Sequence, residues 1–591
     1  MKILKRFFKR IISYIKYISL KGAKPISLGK ILEKQAKNHP NKPLILFENN
    51  TITYSEFNSE ANKISHTFLK HGYTKGDTVA LFISNRPSFL FIHAGLAKIG
   101  VVPALLNCNL KGDILTHAIK IADAKGIIVE NNLLEEIEKI KNSIPKNIEI
   151  FIDGKSTTEP QNEYINLVQI VKNQSTENPK ITYTITSKDT LEYIYTSGTT
   201  GYPKATALRH QKWIQLAYAL GGVAMRAISN DTMYCCLPLY HNSGINIAWS
   251  TAVIHGCTFA LRKKFSAKEF WKDIKKYNAN LFIYVGELCR YLYNQPQKPG
   301  DSNNPLKTIL GNGLRGDYWK GFQKRFGINK IIEVYGATEG VGGLINMKGI
   351  PGMIGKLTVA GIRLGEVVRY DNQTNSFIKN KKGFFEKCIP GEQGMFLAKI
   401  SPTSPFVGYK ANQKATNEKL LCDVLKKGDY YFISGDIFKL HKSDYVSFVD
   451  RLGDTFKWKG EVVATNEVTD IINGFGEFED VNVYGVIVPN TEGRAGMAAI
   501  KLLDNYKFKP NDLATYVIDS LPKYAYPMFI RIVDSISATE SFKQKKFTLQ
   551  NEGFNPIIIQ EDLYFLDVNL KKYIRLTKDL FTKIQIGLIK V

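Results

Sequence analysis

Across the first 24 positions, Leu4, Phe7, Phe8, Ile11, Ile12, Ile15 and Ile18 recur at helical spacing, while Lys2, Lys5, Arg6, Lys9, Arg10, Lys16, Lys21 and Lys24 supply cations with no acid among them. The pattern predicts an amphipathic helix, one face apolar and the other basic. Lys9, Arg10 and Lys16 interrupt every apolar run, so none approaches the roughly 20 residues that span a bilayer. A secretory signal is disfavoured, because Lys16 would sit in its apolar core and no small-residue cleavage site follows. Residues 1–25 therefore read as a segment lying on an anionic membrane surface, with the rings and isoleucines immersed and the lysines among headgroups. The competing reading is a terminal helix packed on its own domain.

From Ile26 to about Phe265, strand-like and helix-like stretches alternate, as in Val79–Ile83 followed by Arg86–Ile99 with Gly100 placed to stop the helix. Gly256–Leu261, a helix from Ser266 with Glu269 completing a capping box, and the run Leu281–Val285 form another such unit. Alternation of this kind predicts an α/β fold with parallel sheets covered by helices. The Lys/Asn-rich stretch from Lys155 to Lys188 reads as surface loop and linker. Beyond Arg451 the units shorten, with strands at Val481–Val488 and Ile530–Val533 and a helix near Leu513–Leu521. The expected division is a large domain over 26–450 and a small, mobile α+β domain over 451–591.

The chain has 591 residues, 44% of them hydrophobic and 23% charged, which is enough to build sizeable cores and excludes a disordered or fibrous protein. The 80 Lys and Arg against 54 Asp and Glu give a formal charge of +26, which suits an anionic partner without choosing between phosphates, headgroups and nucleic acid. No nucleic-acid-reading motif accompanies that charge, so nucleic acid is not expected as a partner. The seven cysteines are scattered without a Cys-x-x-Cys pair, against a disulfide framework or zinc ribbon.

The window Tyr195-Thr196-Ser197-Gly198-Thr199-Thr200-Gly201-Tyr202-Pro203-Lys204 follows the apolar segment Leu191–Ile194 and carries the chemistry for polyphosphate. Its glycines let backbone N–H groups approach oxygens, its hydroxyls donate, and Lys204 adds a cation. It is not a Walker loop, since Lys204 follows Pro203 and precedes Ala205.

This window resembles the signature loop of the adenylate-forming (AMP-binding) enzymes, and further segments similar to that superfamily follow in order. Leu237-Pro238-Leu239-Tyr240-His241 resembles the segment whose His lies near the acyl carboxylate, and Gly311-Asn312-Gly313-Leu314-Arg315 the loop against adenine. Tyr335-Gly336-Ala337-Thr338-Glu339 resembles the segment whose Tyr stacks on adenine, whose Thr touches the α-phosphate and whose Glu holds magnesium. Ser434-Gly435-Asp436 resembles the ribose-binding turn. The stretch Asp450-Arg451-Leu452-Gly453-Asp454-Thr455-Phe456-Lys457-Trp458-Lys459-Gly460-Glu461 is similar to the interdomain hinge. Its wording, with Pro405-Phe406-x-Gly408-Tyr409 and Glu552-Gly553-Phe554, resembles the fatty acid transport protein and very-long-chain acyl-CoA synthetase branch. Near the C-terminus the branch reads Thr-Gly-Thr-Phe-Lys, ending in its catalytic lysine. Here the string is Thr539-Glu540-Ser541-Phe542-Lys543, with Glu540 in place of a glycine, and Lys545 and Lys546 are neighbouring amines.

The resemblance implies a two-step reaction: a fatty carboxylate attacks the α-phosphate of ATP, releasing pyrophosphate, and coenzyme A then displaces AMP from the acyl-adenylate. Thr196–Lys204, Thr338, Lys543 and Mg2+ on Glu339 would neutralise the crowded phosphates. A face bearing Lys457 to Gly460 would arrive for the second step by rotation about Leu452 and Gly453. Acylation at a membrane would trap an entering fatty acid, placing the protein on the cytoplasmic side of a membrane, in the bacterial case the inner one. The alternatives are a ligase for another acid or for a carrier protein, and a membrane-associated fatty acid transport scaffold with an inactive site.

Overall fold

The computed structural model describes the chain except residues 1, 21, 155–163, 197–202, 360, 372–373, 375, 403, 452–455, 459–460, 490, 492 and 537–545. Two parallel-rich sheets dominate its first two thirds. One runs, in spatial order, Ile165–Asn166, Glu149–Asp153, Ala124–Glu130, Thr78–Phe82, Val102–Leu105, Thr190–Thr196 and Lys204–Arg209, with only the last pair antiparallel. The other runs Leu344–Asn346, Lys330–Tyr335, Thr308–Asn312, Leu281–Val285, Thr232–Cys235, Thr258–Leu261, Pro43–Phe47 and Asn50–Thr53, parallel except at its two edges. Thr78–Phe82 is buried at every position, as the run Thr-Val-Ala-Leu-Phe demands of a strand covered on both faces. The helix after it, Pro87–Ile99, starts on a proline that has no N–H to lose and stops at Gly100, whose φ of 75° is left-handed.

An antiparallel sheet follows, ordered Gly355–Lys356, Tyr445–Arg451, Tyr430–Leu440, Gln393–Lys399 and Gly365–Val368. A mixed sheet ordered Phe478–Val486, Ala495–Leu502, Pro527–Ile532, Leu563–Asp567 and Lys572–Arg575 completes the chain. Residues from Phe456 to Val591 share one hydrophobic core of their own, around Trp458, Tyr484, Phe529 and Phe565. Among the described residues, two ion pairs join this body to the large one: Arg315 to Asp470 at 2.7 Å and Arg290 to Asp480 at 3.1 Å. Burial, only partly offset by Arg290, raises the buried Asp480 to about 6.

Two local expectations need correction. The stretch after Tyr164 is not a free linker: Leu167, Val171, Thr182, Ile185 and Ser187 are buried, and apolar residues spaced through the Lys/Asn-rich segment hold it against the large domain. The helix expected from Ser266 begins at Phe270. The Ser266 hydroxyl accepts from the Glu269 N–H at 3.4 Å, but the Glu269 carboxylate pairs with Lys272.

The N-terminal helix, α1, spans Lys2–Ser19, and one of its faces packs on its own domain. It packs on the wide-turn helix Ala217–Met225, with Ser13 buried against Gly222, where a Cβ would collide with the serine hydroxyl. Arg6 donates to both carboxylate oxygens of Asp231, at 2.9 and 2.6 Å, and the Leu20 carbonyl accepts from Gln211 at 2.7 Å. The outward face holds Phe7, Phe8, Ile11, Ile12, Ile15 and Ile18, all 37 to 55% exposed. Among the described residues no helix is long and apolar enough to cross a membrane.

Candidate active site

The strands Thr190–Thr196 and Lys204–Arg209 are antiparallel neighbours with Thr196 opposite Lys204, so the phosphate-loop window is the connection between their ends. Ser197, Gly198, Thr199, Thr200 and Gly201 lie outside the described residues, as do Gly460 and Lys543. Lys204 is described: its ammonium stands 5.4 Å from the ring centroid of Tyr409. Tyr409 is tied to the same hairpin by a bridge to Thr206 and by the Lys410 N–H donating to the Ala205 carbonyl at 2.9 Å. Its hydroxyl donates to Glu339 Oε1 at 2.5 Å. Burial and then the Glu339 charge hold the Tyr409 phenol well above its ordinary range.

Gly311, Asn312 and Gly313 end the strand Thr308–Asn312. A Cβ on Gly311 would overlap the Tyr284 carbonyl, and Gly313 has a φ of 83°, so both positions need glycine. The loop is held from beneath by Glu333, whose Oε1 accepts from the Gly313 and Leu314 N–H groups while Oε2 accepts from Tyr284 Oη. Desolvation outweighs those hydrogen bonds and raises the Glu333 carboxyl from 4.5 to about 8.

Two residues on from Glu333 stands Tyr335, edge-on to Phe438 with ring centroids 4.9 Å apart and donating its hydroxyl to Asp436 Oδ2. Asp436 Oδ1 accepts from Arg451 Nε at 3.1 Å, and its backbone N–H donates to Ser434 Oγ at 3.0 Å. Asp436 is buried, so Tyr335 and Arg451 offset the cost of its charge. Gly336, Ala337 and Thr338 continue from Tyr335 along one wall of a cavity of about 1260 Å3, which also receives Asn312 and His241. This exceeds the 300 to 1,000 Å3 or so of a typical small-ligand pocket. The His241 ring packs on Tyr240 at 4.7 Å, and its segment is fixed by Asn85, whose amide donates to the Leu237 carbonyl at 2.9 Å and accepts from the Leu239 N–H at 2.8 Å. The structure thus brings His241, Asn312, Tyr335 and Thr338 to one cavity, with Asp436 bonded to Tyr335, and Glu339, Lys204 and Tyr409 grouped at its side. Lys457 lies in the short strand Phe456–Trp458, and Lys546 donates to Thr465 Oγ1 beside Asp450.

Sequence reasoning missed four contributors. Glu333 and Tyr284 are spaced far apart, and nothing in a β-strand reading marks them as loop supports. Asn85 stands in an Asn-Arg-Pro turn with no distinctive pattern. Lys212, on the helix His210–Leu216, lines the cavity with its ammonium on the Gly340 carbonyl, and burial lowers it to about 8.

Among the described residues there is no cluster of three or more His, Cys, Asp or Glu side chains that could cage a metal. Mg2+ suits a single carboxylate completed by phosphate oxygens and water, and Glu339 beside the phosphate-loop hairpin offers that carboxylate.

Fold and site together define an adenylate-forming ligase. The chain belongs to the AMP-binding enzyme family, whose sequence model matches residues 32–367. It is 38% identical to long-chain fatty acid transport protein 2 of Rattus norvegicus, over 98% of this chain and 94% of that one. It is 35% identical to the medium/long-chain fatty acid CoA ligase FadD6 of Mycobacterium tuberculosis, over 91% of this chain and 88% of that one. Among solved structures, an anthranilate CoA ligase bound to anthranoyl-AMP shares the fold with a TM-score of 0.76, at 20% identity over 89% of this chain and 97% of its own. The ATP-bound MatB of Rhodopseudomonas palustris does so with a TM-score of 0.73, at 19% identity over 89% and 99%.

Proposed function

We propose that the chain is an AMP-forming long- or very-long-chain fatty acid:CoA ligase. The observation that carries this is one cavity lined both by the nucleotide-side residues Asn312, Tyr335 and Thr338 and by the apolar Leu220, Val223 and Ile247 with side chains of α1. Relatives named as long-chain fatty acid transport proteins and a fatty acid CoA ligase support the same substrate class.

In the first step a carboxylate oxygen of the fatty acid bonds to the α-phosphorus of ATP, and the bond to the bridging oxygen breaks to release pyrophosphate. The chain's part is positioning and charge. The Gly311–Gly313 loop and Tyr335 hold adenine, Asp436 takes the ribose hydroxyls, and the Thr196–Lys204 loop with Thr338 grips the phosphates. Lys212 and His241 orient the carboxylate. Lys543, from the small domain, adds a cation at the reacting phosphate. Glu339 would hold Mg2+, which when bound would supply charge neutralisation for the phosphates. In the second step the thiol sulfur of coenzyme A bonds to the acyl carbon, the bond to AMP breaks, and the thiol proton leaves to solvent. Rotation near Gly453 would bring the face with Lys457 and Gly460 to the site, dividing the chain into 26–450 and 451–591.

The outward apolar face of α1, with Lys9, Arg10 and Lys16 beside it, seats residues 1–24 on an anionic membrane surface and couples ligation to fatty acid capture. AMP release is the test, with ATP, Mg2+, coenzyme A and fatty acids of graded length, beside Lys543→Ala. Acid-dependent AMP and acyl-CoA, lost in the variant, are expected. Fatty acid binding without AMP would overturn the ligase in favour of a transport scaffold.

A further inference from the structure

The cavity does not close within the large domain. Its lining includes Phe7, Arg10, Ile11, Tyr14, Tyr17 and Ile18 of α1 together with the hairpin residues Val359 and Ile362. These α1 side chains lie at a spacing of three and four, so one stripe of the helix lines the cavity. Phe8, Ile12 and Ile15 stand on the adjoining stripe, exposed and outside the lining. Phe7, Ile11 and Ile18 are partly exposed as well as lining the cavity, and they adjoin the stripe of Phe8, Ile12 and Ile15.

The wall is fixed in place. Arg6 holds Asp231 at 2.6 Å and also donates to the Arg226 carbonyl at 2.7 Å. Ser13 is seated in the notch left by Gly222, and Lys16 stands 5.5 Å from the Tyr218 ring centroid. Behind the helix, the chain is stitched down by the Leu20 carbonyl bonds and by the Lys24 N–H donating to Ser187 Oγ at 2.9 Å. A helix tethered before, along and after the lining stripe can act as a rigid stop for a ligand.

We propose that α1 is the outer wall of the acyl site, so that Ile11, Tyr14 and Ile18 contact the methyl end of the fatty acid and set the chain length accepted. This rests on the acyl-CoA ligase reading for its ligand. Lys212 and His241 suit the carboxylate, while α1 presents mainly apolar side chains and rings, Phe7, Ile11, Tyr14, Tyr17 and Ile18, with the Arg10 cation among them. The methyl end therefore points to α1.

The experiment is photocrosslinking of the full chain with palmitic acid carrying a diazirine at its methyl end, competed by unlabelled palmitate. Trypsin cuts after Arg10 and Lys16 and isolates Ile11–Lys16. Competable label on Ile11 or Tyr14 is expected. Label confined to Phe8, Ile12 and Ile15, or absent from residues 7–18, would overturn the assignment. In a second arm, Ile11→Trp should shift preference toward shorter acids, by about tenfold in kcat/KM for each two methylenes displaced, with KM for ATP unchanged. An unchanged length profile would also overturn it. If wild-type protein forms acyl-CoA while α1 stays unlabelled, the wall fails and the ligase stands. If α1 is labelled but no acyl-CoA forms, the ligase fails and the wall stands.

Discussion

Tyr409 donates its hydroxyl to Glu339 at 2.5 Å while its ring lies under the Lys204 ammonium, so one side chain links the carboxylate proposed for Mg2+ to the phosphate-loop hairpin. Removing the hydroxyl leaves ring and cation in place but frees the Glu339 carboxylate to rotate. Tyr409→Phe should slow acid-dependent pyrophosphate release by about tenfold or more, the usual worth of a hydrogen bond to a charged group, and raise the Mg2+ needed for half-maximal rate. A Mg2+ titration on wild type and variant checks it. An unchanged Mg2+ dependence would show that Tyr409 does not orient Glu339.

Lys212 lines the cavity and is the cation proposed for the fatty carboxylate, and burial has already lowered it to about 8. Because a lysine is charged only below its pKa, KM for the fatty acid should rise as pH is taken above about 8. Lys212→Met keeps the length and loses the charge, so it should raise that KM by about tenfold or more, flatten its pH dependence and leave KM for ATP unchanged. Steady-state kinetics between pH 6.5 and 9.5 decide the matter.

The sequence made some parts of this molecule legible and hid others, for physical reasons. Strand-helix units such as Thr78–Phe82 with Pro87–Ile99 are written locally, in a buried apolar run, a proline start and a glycine stop. The resemblance located Tyr335, Asp436 and His241 along the chain, but not that Tyr335 and Arg451 both bond Asp436. Arg451 is the cross-strand partner of Asp436 in one sheet while Tyr335 reaches it from another, so the three-way relation exists only after packing. Periodicity identified the two faces of α1 without saying which would turn outward, since Gly222, more than 200 residues away, makes the notch for Ser13. The capping box at Ser266 failed because Lys272 competes for Glu269.

Glu333 provides a test of how the Gly311–Gly313 loop is supported. Its carboxyl is raised from 4.5 to about 8 by burial, so the folded protein holds a proton there that the unfolded chain has released. The stabilisation is complete below about 4.5 and is lost as pH rises through about 8. Glu333→Gln is neutral throughout and keeps an oxygen for the Gly313 and Leu314 N–H groups. The wild-type melting temperature should therefore fall relative to the variant between pH 5 and 8.5, as followed by calorimetry in matched buffers. Parallel curves would mean that Glu333 is ionised across the whole range.

The outward stripe of α1 allows the proposed membrane seating to be tested apart from catalysis, because Phe8, Ile12 and Ile15 are about half exposed and none of them lines the cavity. Burying an apolar side chain of this size is worth about 1.5 to 3 kcal/mol, so three of them supply most of an interfacial affinity. Basic residues near an anionic surface add about 1 kcal/mol each and are screened by salt. The triple substitution Phe8→Ser, Ile12→Ser, Ile15→Ser should lower binding to vesicles containing phosphatidylglycerol by more than about 100-fold. Ligation of a fatty acid supplied from solution should remain unchanged. For wild type, salt should weaken vesicle binding without abolishing it, and neutral phosphatidylcholine vesicles should bind less tightly. Equal binding of the triple variant and wild type in a vesicle sedimentation assay would show that α1 is not the contact surface.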